Sequence, residues 1–256
     1  MIQLKTPEEI DAIARGGAII ADFLLEVRRR IEPGVSTLEL DGFADEFIRS
    51  HVGASPAFKG LYGFSGSVCT SLNEEVVHGI PKADRTLEGG DIISIDVGVK
   101  LDGWCSDSAW TFPVGEIDEG TRHLLEVTED ALDQAVSATV LESSVGDIGA
   151  AVVARVKGTG LSIIKDLVGH GVGREVHEEP QVPNIGQSGT GPTLREGMVL
   201  AIEPMLSRGT AEIQTLEDRW TVVTRDGTRS AHFEHTVAVT SVGPRILTVA
   251  GAEAAA

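Results

Sequence analysis

The fold is decided by the stretch Ile92-Ile93-Ser94-Ile95-Asp96-Val97-Gly98-Val99-Lys100-Leu101-Asp102-Gly103-Trp104-Cys105-Ser106-Asp107. Its residues up to Val99 are mostly apolar and β-branched, a pattern typical of a buried strand. Asp102-Gly103 is a strong hairpin signal, so we expect the chain to turn back antiparallel there. Asp96 and Asp107 then lie on neighbouring strands and face one spot if the register allows.

The two acids on this hairpin have two interpretations. A carboxylate within an apolar strand costs free energy unless something neutralises it, and two close together cost more. A bound metal cation is the simplest remedy. In the plainer interpretation, which the hairpin alone slightly favours, one is a turn aspartate and the other an edge-strand aspartate, and both are solvated.

Length and charge limit the possible functions. The chain has 256 residues, of which 41% are hydrophobic, enough for one large domain or two small ones with a sizeable core. The net charge of −18 argues against tight binding to nucleic-acid phosphates. Such a charge suits a soluble protein, or one that holds carboxylates for a cation.

The sequence carries no signal for export or membrane insertion. Cys69 and Cys105 form neither a CxxC pair nor a disulfide framework, and we interpret both as small packing residues. The N-terminal residues 1–9 lack the basic and apolar regions of a signal peptide. No apolar run is long enough to span a membrane. We therefore expect a cytoplasmic protein.

Helix-start signals organise the first part of the chain. Thr6-Pro7-Glu8-Glu9 forms a capping box and predicts a helix that ends near Glu32-Pro33-Gly34. Ser36 to Glu39 is a second capping box and predicts a helix to about Arg49. The Gly- and Ser-rich residues 53–66 indicate loop or edge structure, and residues 68–77 are strand-like.

The same order of elements recurs in the second part. Residues 121–139 have helical periodicity, and Ser144 to Asp147 opens another helix to about Val156. Residues 196–203 align with residues 89–96, which places Glu203 on Asp96. Residues 232–236 correspond to residues 105–109 and bring Glu234 to the head of the last strand. This weak duplication predicts one domain of two pseudo-symmetric halves, residues 1–115 and 116–256, with a frayed tail at 250–256.

The duplication changes the interpretation of the acids. Four acids matched in pairs are hard to explain by packing, so we expect them to converge where the halves meet, with His170 adding a nitrogen. Such a set suits two divalent ions that share carboxylates, roughly 3.5–4 Å apart. Its oxygen-rich composition favours Mn²⁺, Fe²⁺ or Co²⁺ over a structural zinc ion. The acids are Asp96, Asp107, Glu203 and Glu234.

Other catalytic motifs fit poorly. Residues 169–173 are glycine-rich but lack the Lys-Ser/Thr of a phosphate loop and the third glycine of a dinucleotide fingerprint. His177 has no histidine four residues later, so it does not start a zincin helix. No Gly-x-Ser-x-Gly elbow is present, which argues against a serine hydrolase.

Isolated histidines are more often structural than catalytic. We interpret His51, His123 and His232 as surface or core residues. His235 follows an expected ligand and either supports it or is structural. Trp220 either lines a pocket or belongs to the core.

Seven motifs together resemble the type I methionine aminopeptidases, in order and over nearly the whole chain. The resemblance implies the pita-bread fold, an α/β (α+β) domain in which a curved antiparallel sheet is covered by four helices. It also implies release of the N-terminal methionine of new polypeptides when the next residue is small. The motifs are His78-Gly79-Ile80-Pro81, Ile95-Asp96-Val97, Ser106-Asp107, Gly169-His170-Gly171-Val172-Gly173-Arg174, His177-Glu178-Glu179-Pro180-Gln181-Val182, Ile202-Glu203-Pro204-Met205 and Phe233-Glu234-His235-Thr236.

The resemblance also implies a role for each matching residue. Asp96 resembles the two-oxygen ligand of one metal, Asp107 and Glu234 the bridging carboxylates, and His170 and Glu203 the ligands of the other metal. The catalytic residues it implies are His78, His177 and Glu203, and both histidines also contact substrate.

The predicted substrate pocket departs from the family pattern. Val176 stands where a Phe is common, so the methionine pocket is expected to be wider. The loop 61–66 is more glycine-rich and less aromatic than usual. The side chains expected to contact substrate are His78, His177, Cys69, Phe64, Val176 and Trp220.

Two other functions remain open at the level of sequence. One is a Xaa-Pro peptidase of the same fold, although such enzymes usually carry an N-terminal domain that does not fit ahead of the first helix. The other is a pita-bread binding module without catalysis, although such modules typically lose ligands that are present here. We expect a monomer whose ribosome contact is transient, because the sequence shows no basic patch.

Overall fold

The structure is a computed structural model that describes residues 1–250. Of the tail predicted to fray, residues 251–256 lie outside the described part. None of the four α-helices in residues 1–250 combines the length and apolar character that a membrane crossing requires. The helices are α1 (Pro7–Arg28), α2 (Thr37–Arg49), α3 (Glu119–Ser137) and α4 (Val145–Val156), with a 3-10 turn at Leu61–Gly63.

The strands are short except for one long hairpin. They are β1 (Ala54–Pro56), β2 (Cys69–Leu72), β3 (Glu75–Val77), β4 (Ile92–Leu101), β5 (Trp104–Pro113), β6 (Ser162–Ile163), β7 (Val168–Gly171), β8 (Glu178–Pro183), β9 (Val199–Ile202), β10 (Met205–Ser207), β11 (Ile213–Thr215), β12 (Val222–Thr224), β13 (Ser230–His232), β14 (His235–Thr240) and β15 (Gly243–Ile246).

Every strand pairing among the described residues is antiparallel. In the first half, β4 pairs with β5 along one edge and with β1 and β2 along the other. In the second half, the main sheet has the order β15-β14-β9-β7-β8. Two three-stranded sheets, β13-β10-β6 and β11-β12-β3, complete the set, and the second joins strands of both halves.

Helices cover each main sheet, and an apolar core lies between the helices and the sheet. Phe23 of α1 and Ile48 of α2 pack in one apolar cluster with Ile95 of β4. The corresponding cluster of the second half contains Leu124 of α3 and Val152 of α4, together with strand residues of β9 and β14. The helix-over-sheet arrangement predicted for both halves is therefore present.

The predicted helix starts match the structure closely. The Thr6 backbone N–H donates to Glu9 Oε2 (3.0 Å), and the Ser36 N–H donates to Glu39 Oε2 (2.8 Å). The Ser144 N–H donates to Asp147 Oδ2 in the same way (2.7 Å). These contacts satisfy backbone donors that a helix start leaves free, which explains why the motifs mark the starts.

Three helix limits differ from their predictions. Helix α1 ends at Arg28, before the predicted Glu32-Pro33-Gly34, because a turn follows in which the Arg30 N–H donates to the Val27 carbonyl (2.9 Å). Helix α3 ends at Ser137, before the predicted limit at about Thr139. Helix α3 starts at Glu119, two residues early, because Asp118 is its cap and accepts from the Thr121 N–H (3.0 Å).

The hairpin register decides where the first two acids point. Asp96 pairs with Ala109, and Gly98 pairs with Asp107. Because side chains alternate across a strand, Asp96 and Asp107 are diagonal neighbours on one face of the hairpin. Gly98 lies on the same face, directly opposite Asp107 in the register. A Cβ at this position would lie only 2.6 Å from the Phe58 ring. The turn itself has positive φ at Asp102 and Gly103.

Backbone pairing repeats between the halves. The Leu87 N–H donates to the Val35 carbonyl (2.8 Å), and the Leu194 N–H donates to the Ser143 carbonyl (2.7 Å). Isolated bridges join Ser36 to Thr86 and Ser144 to Thr193. The N-terminal caps of α2 and α4 are thus held by corresponding segments, each of which leads toward an acid. This correspondence agrees with the alignment of residues 89–96 with residues 196–203.

Side-chain hydroxyls join the halves at the strands that carry acids. The Thr236 hydroxyl donates to the Asp107 carbonyl (2.7 Å) and accepts from the Asp107 N–H (3.0 Å). The Ser108 hydroxyl donates to the Glu234 carbonyl (2.6 Å), and the Glu234 N–H donates to the Ala109 carbonyl (2.9 Å). These contacts fix β5 against the segment between β13 and β14.

Candidate metal centre and active site

The four predicted acids lie together at the base of one cavity. The cavity has a volume of about 250 Å³, and both apolar and ionisable side chains line it. Asp107 and Glu234 are almost wholly buried, at 3% and 2% exposed. The lining residues are Phe58, Leu61, Tyr62, Phe64, Cys69, Val77, His78, Asp96, Asp107, Leu167, Val168, His170, His177, Glu203, Met205, Trp220, His232 and Glu234.

Strand register brings the second-half residues to the same place. His170 on β7 pairs with Ala201 on β9, two residues before Glu203. His235 on β14 pairs with Ile202, so the antiparallel register sets Glu234 opposite Glu203. Both glutamates therefore project just beyond regular strand ends toward the first-half hairpin.

Ligand-type atoms from both halves face each other. His170 Nε2 lies 3.5 Å from Glu203 Oε1 and 3.9 Å from Asp107 Oδ2. One atom each of Asp107, His170 and Glu234 lies within 4.8 Å of the other two. Two ligands, each about 2.1 Å from one ion, can be at most about 4.2 Å apart, so the His170 contacts have the spacing of ligands around one cation.

His170 is oriented for this purpose. Its Nδ1 lies 2.9 Å from the Gly171 carbonyl, the contact that a protonated Nδ1 makes as a donor. Burial lowers the pKa of His170 to about 4, with a further contribution from His177, so the ring is neutral near pH 7. Nε2 then keeps its lone pair toward the carboxylates, as a metal-binding imidazole requires.

Several carboxylate oxygens at this site have no hydrogen-bond partner. These are Asp96 Oδ1, Asp107 Oδ1 and Glu234 Oε1, all shielded from solvent. Buried polar atoms are normally paired, so unpaired acceptor atoms from three acids need a positively charged partner. The donor set and these unpaired atoms fit divalent cations bound among the four acids.

The pKa values of all four acids are raised, as expected for buried carboxylates that lie close together. Burial raises the pKa of Asp96 to about 7. Burial and the negative charges of Asp96 and Glu203 raise the pKa of Asp107 well above its usual range. Burial likewise raises the pKa of Glu203 and Glu234, with smaller contributions from neighbouring acids. Cations favour the ionised carboxylates and reverse these shifts.

Two more predicted residues, His78 and His177, flank the acids. His78 follows β3 with a left-handed φ of 60°, which is uncommon for a residue other than glycine. The ring of His177 lies 4.4 Å from the ring of His170, between centroids. Burial lowers the pKa of His78, and partial burial lowers that of His177, so both rings are neutral near pH 7.

A buried ion pair ties the His177 loop to the N-terminal segment. The Lys5 ammonium donates to Glu178 Oε2 (2.7 Å), and both side chains are at most 10% exposed. Glu178 Oε1 accepts from the Arg174 N–H (2.8 Å). Because Glu178 directly follows His177, these contacts hold the loop that carries the histidine.

The predicted side-chain pocket is assembled in part. Phe64 and Trp220 contact each other edge to face at 5.1 Å, and both line the cavity together with Cys69. The ring centroids of Trp220 and His78 are 6.3 Å apart. Val176 is absent from the cavity lining among the described residues and is buried in the core. Its effect on selectivity stays a prediction.

The histidines left outside the predicted site divide into two groups. His51 and His123 contact only backbone or neighbouring surface groups, and His235 Nδ1 lies 2.8 Å from the Thr248 hydroxyl. His232 differs, because its ring lies inside the cavity among the acids. A signal was available: His232 is two residues before Glu234, a spacing that puts both side chains on one face of an extended segment.

The family model described as Peptidase_M24, metallopeptidase family M24, matches residues 11–241. The chain belongs to metallopeptidase family M24. As a member, it is a metal-dependent peptidase with the pita-bread fold, so the predicted fold and the predicted use of divalent metal are confirmed.

Individual relatives narrow the comparison. Methionine aminopeptidase 1 of Bacillus subtilis is 49% identical over 248 residues, which cover 97% of this M24 chain and 99% of that protein. The crystal structure of methionine aminopeptidase from Thermotoga maritima superposes with a TM-score of 0.95 at 44% identity, covering 97% and 100% of the two chains. The resemblance drawn from the seven motifs is confirmed.

A more distant neighbour shares only the fold. The prolidase from Pyrococcus furiosus superposes with a TM-score of 0.77 at 24% identity. The match covers 96% of this chain but 65% of the prolidase. The match therefore supports the common architecture and says nothing about the substrate of this chain.

Proposed function

We propose that this protein removes the N-terminal methionine from new polypeptides whose second residue is small, using two divalent ions. The observation that carries the proposal is the meeting of buried, unpaired carboxylate oxygens from both halves beside His170, at the base of a cavity. Near-full-length relatives named methionine aminopeptidase support the same reaction.

The ligand assignment follows the predicted roles. Asp96, Asp107 and Glu234 would hold the ions through their carboxylates. His170 and Glu203 would add an imidazole and a further carboxylate ligand. Four carboxylates and one imidazole favour Mn²⁺, Fe²⁺ or Co²⁺.

Divalent ions bound among these acids would lower the pKa of a water molecule toward neutrality and polarise the peptide carbonyl. The protein's own part begins with His177, which lines the cavity. As a neutral imidazole it carries one N–H, which donates a hydrogen bond to the carbonyl oxygen as negative charge develops there. His78, which also lines the cavity, contacts the substrate.

Glu203 moves the proton. Its carboxylate accepts a proton from the attacking water and passes it, with the help of His78, to the amine that leaves. The position of Glu203 beside the water would fix the direction of transfer.

The methionine side chain would lie against Phe64, Cys69 and Trp220 in the cavity, because an unbranched thioether adapts well to aromatic walls. Val176 packs in the same apolar cluster as these three residues and would affect the width of the pocket indirectly. A small second residue would leave the remaining space free for the peptide backbone.

The cellular context follows from the substrate. We place the protein in the cytoplasm, where new polypeptides emerge, as a monomer whose ribosome contact is transient. The net charge of −18 supports a transient contact, because the ribosome surface is rich in phosphate.

The first experiment follows methionine release from the tripeptide Met-Ala-Ser after removal of metal by a chelator. Mn²⁺ or Co²⁺ is then restored, and an Ala-Pro dipeptide is tested in parallel. We expect metal-dependent release of methionine with Ala-Pro uncut. Cleavage of Ala-Pro alone would assign the protein to the proline peptidases, and inactivity on both with metal bound would favour a binding module.

A further inference from the structure

His232 has no partner in the protein for either ring nitrogen. Its side chain is 2% exposed, and both Nδ1 and Nε2 are shielded from solvent without a hydrogen bond. A buried imidazole normally has at least one partner, since leaving a buried polar group unpaired costs free energy. This ring therefore calls for a partner of another kind.

The direction of the ring identifies that partner. His232 Nε2 lies 3.6 Å from Glu203 Oε2 and 3.9 Å from Glu234 Oε2. These separations exceed a hydrogen bond, which would bring a donor N–H to about 2.7–3.2 Å from a carboxylate. They fall within the limit of about 4.2 Å for two ligands of one ion.

His170 provides an internal standard for these distances. Its Nε2 lies 3.5 Å from Glu203 Oε1, while His232 Nε2 lies 3.6 Å from Glu203 Oε2. The two imidazoles thus flank one carboxylate, each facing a different oxygen at nearly the same distance. His232 thus stands beside Glu203 much as His170 does, although His170 also lies close to both Asp107 and Glu234 and has a partner for its Nδ1.

We infer that His232 is a second imidazole ligand, which binds a divalent cation through Nε2 together with Glu203 and Glu234. The inference rests on the proposed metal centre and adds a donor to it. The site then has two nitrogen donors, which shifts its preference toward metals that bind imidazole well.

The test counts metal-bound imidazoles directly in Co²⁺-loaded protein. Each histidine bound to Co²⁺ gives one strongly shifted exchangeable N–H signal in the proton NMR spectrum. We expect two such signals in the wild type and one in each of His170→Gln and His232→Gln. His235→Gln is the matched control, because this partly buried histidine directly follows Glu234 in the sequence but contacts Thr248 instead, and the variant should keep two signals.

Metal affinity gives a second readout by calorimetric titration with Mn²⁺. His232→Gln should weaken one of the two bound ions at least about tenfold, as loss of a ligand or its close support does. His235→Gln should leave both affinities unchanged. Circular dichroism confirms that each variant is folded before titration.

The outcomes separate the inference from the proposed function. One shifted signal in the wild type, with unchanged Mn²⁺ affinity in His232→Gln, would overturn the role of His232 and leave the metal centre intact. Absence of Co²⁺ and Mn²⁺ binding by the wild type would overturn both. Because the wild-type signal count needs no substitution, a variant that fails to fold does not prevent the decision.

Discussion

The first half of the molecule carries its acids on the continuous β4–β5 hairpin, whereas the second half carries them at strand ends. Asp96 and Asp107 are short side chains fixed in a ten-residue ladder. Glu203 follows β9, and Glu234 lies in the break between β13 and β14. The glutamate side chains, which are longer, extend from the strand ends into the cavity. The shorter aspartate side chains enter the same cavity from within their strands.

The accompanying groups differ as well. Both imidazoles that face the carboxylates at 3.5–3.9 Å, His170 and His232, come from the second half. The first half contributes carboxylates, with Cys69 paired in register to Asp96. A duplicated fold has thus kept the positions of its acids while its halves diverged in donor chemistry.

The largest effect is expected when one of the two acids of the first half is removed. Asp107→Asn removes the acid that faces both Glu234 and His170, so activity on Met-Ala-Ser should fall at least about a thousandfold, because transition-state stabilisation of several kcal/mol depends on the ions. Metal content is measured alongside. Asp102→Asn in the exposed turn of the same hairpin is the control and should retain activity. Full metal content and activity within tenfold in Asp107→Asn would contradict the assignment.

The next effect concerns stability without metal. The raised pKa of Asp96 means that the folded state binds a proton more tightly than the unfolded state, so ionisation destabilises the fold as pH rises from about 4 through about 7. Asp96→Asn cannot ionise. In chelator, it should match the wild type near pH 4 and be more stable by up to about 4 kcal/mol at pH 8.

Urea unfolding at several pH values measures this difference. With saturating Mn²⁺ the wild type should regain its stability at pH 8, because the cation favours the ionised acid. A difference between the two proteins that does not change with pH would show that Asp96 titrates in the ordinary acid range.

A smaller effect is expected for His177, which tests whether this histidine is a hydrogen-bond donor or a metal ligand. His177→Ala should lower kcat about a hundredfold, the usual loss for one donor to a developing oxyanion, while two metals still bind. The exposed His123→Ala serves as the control and should be indistinguishable from wild type. Loss of a metal ion in His177→Ala would make His177 a ligand instead.

The smallest effect tests the contact between the halves. Thr236→Val keeps the side-chain shape but leaves the buried Asp107 N–H and carbonyl without their partner, so unfolding should become easier by about 2 kcal/mol. Thr240→Val on the same strand removes only exposed or part-buried turn contacts, with the Gly243 carbonyl and the Val242 N–H, and its cost should be about 1 kcal/mol or less. Equal costs in urea unfolding would argue against a special role for the contact between halves.

Much of this fold could be predicted from local signals. The capping boxes at Thr6, Ser36 and Ser144 located helix starts, since the motif directly satisfies free backbone donors. Asp102-Gly103 located the hairpin turn because its dihedrals suit few other residue pairs. Helix limits near Arg28 and Asp118 were less exact, because they depend on which competing turn or cap forms.

The site was predictable as far as its acids and matching motifs. His232 was missed because an isolated histidine carries no period or spacing of its own, and its surroundings come from strands distant in sequence. The Lys5–Glu178 ion pair was equally hidden, since 173 residues separate its partners. Such contacts depend on tertiary packing, and one sequence does not encode that packing as a local pattern.

The two halves are connected by a short segment, residues 114–118, between β5 and α3. If this segment were cut, one fragment would carry Asp96 and Asp107, and the other His170, Glu203 and Glu234. A cation that binds only when the fragments are together favours their association by mass action. Divided in this way, the chain would become a two-part metal sensor, in which fragment affinity reports the concentration of free divalent ion.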